Sequence, residues 1–390
     1  MSISRTSIPS QERYDLVVLG SGIMGMACAF QEALKGHSVA IVDKHALSRK
    51  ASWAAAGILA ARAGILSNSP LRNVYFRSLE AFPNWLKSIE SISGLPIPYQ
   101  RCGDYQIFSM MDAGNRNDFE IRIDQLKRER ASAFTIRDEL PLFLKPFSKL
   151  TKVKVIHYPE EAYINVRGLL ESLTQALRKL GVALFQECEP IHIDCSGGIE
   201  ISGIMTGSEP NIPWALLGKH GLICAGAWSN SLLNLMGCSA PLIPVKGQLA
   251  LLPNFHGQTP MVHGSETFYL VPRDGHLVAG ATSESQVWDE TFTAIGDDYL
   301  RQKLQTYFAG IQPTWMETWS GIRPRILDRQ PLMGWVNEEK NMAICAGHYK
   351  CGISMAPLSA QAVSAFLHGE KPPFDMTPYN PFRKGALSRI

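Results

Sequence analysis

The sequence predicts a mixed α/β fold, with a parallel βαβ unit near its N-terminus and a second domain built on an antiparallel sheet. A Val/Leu-rich strand at Tyr14–Leu19, a helix within 21–36 and a strand within 38–43 form the βαβ pattern. Further along, the segment 269–282 reads as two strands joined by the turn RDGH, which is typical of a hairpin. The 390 residues, 45% of them apolar, exceed the size at which a single core stops growing, so we expect two domains.

The remaining elements follow from periodicity and turn residues. Strand-like runs and amphipathic helices alternate along the chain, and the last 70 residues return to a strand, a glycine-rich turn and a helix. In order, we predict a helix at 70–92, a strand at 105–108, helices near 118–130 and at 168–181, a buried parallel strand at 182–187, a strand and small-residue turn at 220–230, a strand at 245–252 and a helix near 297–308.

This alternation predicts two domains that are each discontinuous in sequence. The first comprises 1–95, 155–230 and 318–390 and carries the βαβ unit. The second comprises 96–154 and 231–317 and carries the antiparallel sheet.

Composition excludes several classes of partner. The net charge of +3 comes from 38 basic and 35 acidic residues without a basic tract, so we expect no nucleic-acid binding. No run approaches the roughly 20 apolar residues of a membrane span, and residues 1–13 lack the apolar core of a secretory signal. We therefore expect a cytoplasmic homo-oligomer. The eight cysteines show no CxxC pair, so we expect buried free thiols and no metal site.

The turn after the first strand predicts a dinucleotide site. Gly20, Gly22 and Gly25 form GxGxxG between strand and helix, where they permit a tight turn, close approach of a pyrophosphate and helix-on-strand packing. Asp43 ends the second strand, where its carboxylate can accept hydrogen bonds from ribose hydroxyls and would repel a 2′-phosphate. This pattern disfavours NADP and leaves NAD and FAD open.

Motifs outside the fingerprint carry a family resemblance. The segments GSGIMG, ASWAAAGIL, CAGAWS, PVKGQ, YLVPRDGHLVAGAT, WSGIRP and GHYKCGISMAP occur in this order over nearly the whole chain. Together they resemble bacterial glycine oxidases of the thiamine-biosynthesis type, which are FAD-dependent enzymes of the D-amino-acid oxidase superfamily. The resemblance implies a Rossmann-like FAD domain and a substrate domain of the D-amino-acid oxidase type.

The resemblance also assigns cofactor contacts. It implies noncovalent FAD, with the adenosine near Asp43 and a backbone contact to adenine at Ile191, and the flavin's pyrimidine edge near the C-terminal glycine-rich turn. Cys351 raises the question of a covalent flavin, but it lies outside the motif of the sarcosine oxidase attachment cysteine. The full set of FAD contacts is Gly20, Gly22, Ile23, Met24, Gly25, Asp43, Lys44, Ser52, Ala54, Ala55, Ala56, Gly57, Ile191, Ala225, Gly226, Trp228, Gly321, Arg323, Gly347, His348, Tyr349, Lys350, Cys351, Gly352 and Ile353.

On the substrate side, Arg323 matches the arginine that clamps the substrate carboxylate in this family. A planar guanidinium suits this role because it binds a carboxylate through two parallel charge-assisted bonds. Tyr269 matches a tyrosine that reaches the same carboxylate. Arg325 is expected to face away from the site. Three further residues are assigned to the substrate pocket: Lys350, Ser283 and His348. Three positions depart from the glycine-oxidase pattern, which puts specificity for glycine in question: Lys350, Cys351 and Ser283.

The implied reaction is hydride transfer from the substrate α-carbon to flavin N5. The substrate is glycine, a related small amine or a D-amino acid, and the products are an imine or keto acid, ammonia and, with O2 as acceptor, hydrogen peroxide. No side-chain base is required if the amine enters neutral, and His348 is expected to be structural. Lys246 is open to two interpretations, influence on substrate or oxygen and a salt bridge at the domain interface.

Two alternatives remain open. The first is a D-amino-acid or sarcosine dehydrogenase that passes electrons to another acceptor, including the glycine-oxidising subunit of a cyanide-forming complex. The second is a binding subunit without turnover, against which the carboxylate clamp argues.

Overall fold

The computed structural model describes residues 13–60, 70–128, 133–206, 212–253, 260–264 and 268–389. The N-terminal segment that lacks the apolar core of a secretory signal lies outside these residues, except Arg13. Within the described ranges, no helix is long and apolar enough to cross a membrane.

The strands are, in chain order, β1 (Arg13–Leu19), β2 (Val39–Val42), β3 (Ile58–Leu59), β4 (Tyr99–Arg101), β5 (Asp104–Ser109), β6 (Thr135–Arg137), β7 (Val153–Tyr158), β8 (Ala162–Ile164), β9 (Ala183–Phe185), β10 (Cys188–Asp194), β11 (Ile199–Met205), β12 (Pro213–Ile223), β13 (Cys238–Ser239), β14 (Leu242–Leu252), β15 (Met261–His263), β16 (Tyr269–Arg273), β17 (His276–Gly280), β18 (Glu284–Ser285), β19 (Glu317–Ile326), β20 (Leu332–Trp335), β21 (Met342–Ala346) and β22 (Ser388–Arg389). The α-helices are α1 (Ile23–Leu34), α2 (Ala51–Ala54), α3 (Leu71–Ser93), α4 (Ala113–Arg128), α5 (Val166–Lys179), α6 (Ser229–Asn234), α7 (Ala294–Tyr307) and α8 (Gly352–Leu367). Short 3₁₀ turns span Gly226–Trp228, Tyr349–Cys351 and Thr377–Tyr379.

The first large sheet contains the predicted βαβ unit. Strand β1 pairs in parallel with β2 and with β12, β2 pairs in parallel with β9, and β12 pairs in parallel with β21. An antiparallel extension, β10-β11-β12, was not predicted, and β20 pairs antiparallel to β21, which lies on the same side of β12 as β11. The carboxyl ends of β1, β2, β12 and β21 therefore meet at one edge, where parallel sheets of this kind bind ligands.

Four helices cover one face of this sheet. The sequence of α1, IMGMACAFQEAL, is apolar nearly all round, and ten of its twelve residues are buried, so it packs as an internal helix. Helix α8 is equally apolar and packs against both α1 and α3, while α5 presents an amphipathic face to the same core. These contacts position the first turns of α1 and α8 beside the sheet edge.

The second large sheet has the order β18-β14-β17-β16-β15-β5-β7-β6, with β19 also paired to β14. Its pairs are antiparallel except β15 with β5, and β16 and β17 form the predicted hairpin. The long pairing of β14 with β19 runs from Leu242↔Ile326 to Leu251↔Glu317. The mixed α/β fold class is therefore confirmed, whereas the exact domain boundaries stay a prediction.

Candidate active site

A cavity of about 960 Å³ lies where residues of both large sheets approach each other. Its volume is at the upper end of the range for ligand pockets, as an extended dinucleotide requires. Every residue that the sequence assigned to a cofactor or substrate contact lines this cavity, except Gly25. The structure thus brings together residues separated by more than 300 positions.

Gly25 lies under the cavity wall instead. A Cβ at this position would stand 1.9 Å from the carbonyl oxygen of Gly20. The third glycine of the fingerprint therefore allows α1 to cross closely over the end of β1, which is the packing role expected of it.

The first turn of α1 faces the cavity and receives its cap from another segment. No side chain of the preceding residues caps this helix, and instead Ser52 Oγ accepts a hydrogen bond of 2.9 Å from the Ile23 amide. The other first-turn N–H groups have no intrahelical acceptor, and the helix dipole adds positive potential there. This end of the cavity suits a pyrophosphate.

Asp43 organises the next part of the cavity. Its Oδ2 accepts hydrogen bonds from the Ser21 amide at 2.7 Å and the Ser21 hydroxyl at 2.6 Å, while Oδ1 accepts from the His45 amide at 2.9 Å. These contacts hold the carboxylate at the end of β2 with lone-pair capacity left for ribose hydroxyls. The Ser21 side chain continues to the Ser48 amide at 2.9 Å, so the turn is fixed on both sides.

The adenosine end is bounded by β10. Ile191 falls at the register shift between Pro190 and His192, where the ladder with β11 is interrupted. Its backbone polar groups are thus available for a contact of the kind expected with adenine. Nearby, Lys44 Nζ lies 2.6 Å from Glu189 Oε1.

The segment Ala54–Gly57 forms a wall of small residues, and side chains from the second large sheet hydrogen-bond to its backbone. Trp319 Nε1 donates to the Ala54 carbonyl at 2.9 Å, and Arg273 Nη2 donates to the Ala55 carbonyl at 2.8 Å. Burial lowers the pKa of Arg273 to about 10, which leaves it charged at neutral pH. Gly321 lies opposite, where a Cβ would stand 2.5 Å from that of Ala54.

The glycine-rich turn 347–353 forms the far wall and leads into α8. His348 is buried, its Nε2 lies 3.1 Å from Ser359 Oγ, and burial lowers its pKa, so the ring is neutral at pH 7. Cys351 is also buried, and burial raises its pKa to about 12. A thiol this weakly acidic is a poor nucleophile, which fits noncovalent FAD.

Tyr349 stands at the centre of a cationic cluster. Burial would raise the pKa of its hydroxyl, but the Lys350 ammonium, a hydrogen bond with Ser283 and the guanidinium groups of Arg323 and Arg325 together lower that pKa. Lys350 Nζ lies 5.5 Å from the Tyr349 ring centroid. This positive potential would stabilise negative charge on a bound ligand.

The expectation that Arg325 faces away from the site is wrong. Arg325 lines the same cavity as Arg323, and its Nη2 donates to Ser285 Oγ at 3.0 Å. Both arginines lie in β19, and side chains two positions apart in a strand point to the same face. The structure therefore adds a third cation to this end of the cavity.

Arg323 and Tyr269 come together from different strands. Desolvation raises the pKa of the Tyr269 hydroxyl, and a hydrogen bond and the charge of Arg323 partly offset that rise. Two glycines make room for these side chains: a Cβ at Gly247 would stand 2.1 Å from the Arg323 guanidinium, and one at Gly280 would stand 2.8 Å from the Tyr269 ring. The pair forms a polar clamp beside the turn at 347–353.

The sequence did not identify a further wall from the antiparallel sheet and α4. Gln106, Arg122 and His263 line the cavity, and His263 Nδ1 lies 2.8 Å from Asp104 Oδ1. Arg122 is only 8% exposed, and its Nε has no hydrogen-bond partner among the described residues. The sequence does contain one signal for this wall, because Arg122 falls on the apolar face of the predicted helix.

Lys246 does not line the cavity. It is 1% exposed, and its Nζ lies 2.7 Å from Asp289 Oδ2. Hydrogen bonds from Lys246 and from Thr291 lower the pKa of Asp289 to about 2. Of its two interpretations, the salt bridge is the one that the structure contains.

A parallel sheet edge, two helix N-termini and an opposed polar clamp define a dinucleotide-dependent oxidoreductase. The family model described as FAD dependent oxidoreductase matches residues 15–366. The chain belongs to this family, and FAD is its cofactor.

Comparison with individual relatives shows which members of this family the chain resembles. The chain is 26% identical over 385 residues to the glycine oxidase of Geobacillus kaustophilus, covering 94% of this chain and 96% of that protein. The crystal structure of a glycine oxidase from the same organism superposes with a TM-score of 0.87 at 25% identity, covering 96% and 99% of the two chains. The bifunctional protein ThiO/ThiG of Trichormus variabilis is 29% identical over 380 residues, and this chain spans 56% of its length. The protein is thus an FAD-dependent oxidoreductase of the glycine oxidase type.

Proposed function

We propose that this protein oxidises glycine and related small amines or D-amino acids at the α-carbon. The observation that carries the proposal is the placement of Arg323 and Tyr269 in one cavity, in contact with each other and beside the turn at 347–353. A carboxylate held by these two groups would present its α-carbon to the ring that the turn supports. The glycine oxidase relatives support the same assignment.

FAD, when bound, supplies a two-electron acceptor for the hydride of the α-carbon. Arg323 contributes a permanently charged fork that binds the carboxylate through two bonds, and the Tyr269 hydroxyl fixes its orientation. The neutral, buried His348 contributes packing, and proton abstraction by a side chain is unnecessary when the amine enters neutral. The first turn of α8 and the cations around Tyr349 stabilise negative charge beside the turn.

The full proposed reaction converts the amine to an imine. Hydrolysis of the imine gives a keto acid and ammonia, and O2 as electron acceptor gives hydrogen peroxide. We place the imine of glycine in the synthesis of the thiamine thiazole, the role implied by the resemblance to the thiamine-biosynthesis type.

Anaerobic mixing tests this proposal directly. The yellow holoprotein is mixed with glycine, sarcosine and a panel of D-amino acids while its absorbance is followed, and air is then admitted. We expect bleaching by at least one substrate, then rapid recolouring with one peroxide per turnover. No bleaching by any of these amines would refute the proposal. Bleaching without rapid recolouring and peroxide would replace the oxidase with a dehydrogenase.

The Arg323→Ala variant is tested in the same experiment. It should need far more substrate for the same rate of bleaching, because the charged half of the carboxylate clamp is removed while Tyr269 remains.

A further inference from the structure

Three side chains of metal-ligating type meet at the end of α1 that lies away from the cofactor cavity. Glu32 belongs to the last turn of α1, His37 follows the helix, and His368 follows the last residue of α8. Glu32 Oε2 lies 2.7 Å from His37 Nδ1 and 2.7 Å from His368 Nε2. The three ligand atoms all lie within 4.8 Å of one another.

The burial of Glu32 distinguishes this cluster from a surface ion pair. Its side chain is 2% exposed, whereas His37 and His368 are 29% and 22% exposed. The second carboxylate oxygen, Oε1, is buried and has no hydrogen-bond partner among the described residues. Because a buried carboxylate oxygen without a partner is unfavourable, this arrangement favours a cation that the carboxylate could bind through both oxygens.

We propose that Glu32, His37 and His368 bind a divalent transition-metal ion, for which zinc(II) is the best match. Two imidazole nitrogens and one carboxylate are the donor set that zinc accepts, whereas calcium and magnesium prefer oxygen ligands throughout. The partly exposed histidine edges leave room for water as a further ligand. None of the eight cysteines belongs to the site.

The site requires only a small adjustment to reach coordination geometry. Zinc bonds of about 2.1 Å at a tetrahedral angle separate neighbouring ligand atoms by about 3.4 Å. The present nitrogen-to-oxygen separations are 2.7 Å, so each imidazole nitrogen would move away from the carboxylate oxygen by about 0.7 Å. The two rings already stack with their centroids 4.4 Å apart.

The position of the site gives the ion a structural role. Helices α1 and α8 begin at the cofactor cavity, at Ile23 and Gly352, and both end at this cluster. An ion would join their C-termini at about 18 Å from the cavity, the length of the twelve-residue α1. It would therefore raise thermal stability and leave turnover unchanged.

Zinc binding to the FAD-loaded protein tests the proposal. Wild type and the variants His368→Gln, His37→Gln and Glu32→Gln are stripped with EDTA, dialysed against ZnCl₂ and analysed for metal, and their melting is followed by FAD fluorescence. His220→Gln is the matched control, because His220 lies in the same region without belonging to the three ligands. The cysteine background is the same in every protein.

We expect wild type and His220→Gln to hold one more zinc per chain than the ligand variants, and at least tenfold weaker zinc binding in each ligand variant. Zinc should raise the melting temperature of wild type and the control only, and magnesium should raise neither. Equal zinc content in all five proteins, or a zinc shift in melting that the ligand variants retain, would overturn the site. If His368→Gln does not fold, the other two ligand variants decide the outcome, above all His37→Gln, because His37 lies in a loop.

Discussion

The proposed ribose contact of Asp43 can be isolated because the same local structure occurs twice. Asp43 accepts hydrogen bonds from the amide and hydroxyl of Ser21. At the opposite end of the sheet, Asp15 Oδ2 accepts the same two bonds from Ser38, at 2.8 and 2.7 Å. Asp15→Ala therefore removes the matching pair of serine hydrogen bonds at a site outside the cavity, whereas Asp43→Ala also removes the bond from the His45 amide.

The expected loss of FAD affinity follows from the hydrogen bond to the ribose that the substitution removes. A hydrogen bond to a charged group contributes about 1.5–3 kcal/mol, and every 1.4 kcal/mol is a factor of ten in affinity. One lost ribose bond should thus weaken FAD binding roughly 10- to 100-fold in Asp43→Ala. In Asp15→Ala the FAD dissociation constant should stay within about twofold of wild type.

Fluorescence titration of the apoproteins with FAD measures this difference, and circular dichroism verifies that both variants are folded. Equal FAD dissociation constants for Asp43→Ala and Asp15→Ala would refute the ribose contact, even if both proteins were less stable than wild type.

Three other predictions rest on separate contacts. Arg323→Ala should raise the Michaelis constant for carboxylated substrates at least tenfold, about 1.4 kcal/mol or more, and an unchanged constant in steady-state assays would remove Arg323 from the substrate site. Asp289→Asn leaves the buried Lys246 without its anionic partner and should lower the free energy of unfolding at pH 7. Because the folded-state pKa of Asp289 lies below its ordinary 3.8, the ion pair stabilises fully above that value and is lost as the pH falls toward 2, so the difference between wild type and variant in denaturant titrations should shrink over that interval. Gly25→Ala should lower both the melting temperature and FAD affinity, since its Cβ would meet the Gly20 carbonyl oxygen at 1.9 Å, and a variant that melts and binds like wild type would contradict that packing.

The parts of the fold that were predicted correctly depend on local sequence. The glycines after Leu19 and the carboxylate of Asp43 are the residue types that a dinucleotide-binding βαβ unit needs at its turn and at the end of its second strand. The turn residues RDGH predict the hairpin formed by the strands on either side of them. The antiparallel extension β10-β11-β12 has no comparable signal, because its pairing depends on which edge of the sheet is open.

Misses at the site have specific physical causes. The prediction for Arg325 is wrong because WSGIRPR lies in a strand, in which alternate residues share a face. Arg122 shares the buried face of α4 with Phe119, Ile123 and Leu126, and an arginine in that row indicates a polar cavity beneath the helix. Outside the active site, only the packing of α1 on α8 brings Glu32 and His368 together, and the sequence carries no local signal for that contact.

The cap on α1 makes the stability of the cofactor site depend on a second segment. Its first amide bonds to Ser52, which belongs to a one-turn helix that is too short to be stable alone. The end of α1 is therefore capped only while 51–54 remains in place. Hydrogen exchange at the Ile23 amide would report local opening of that segment in the folded protein.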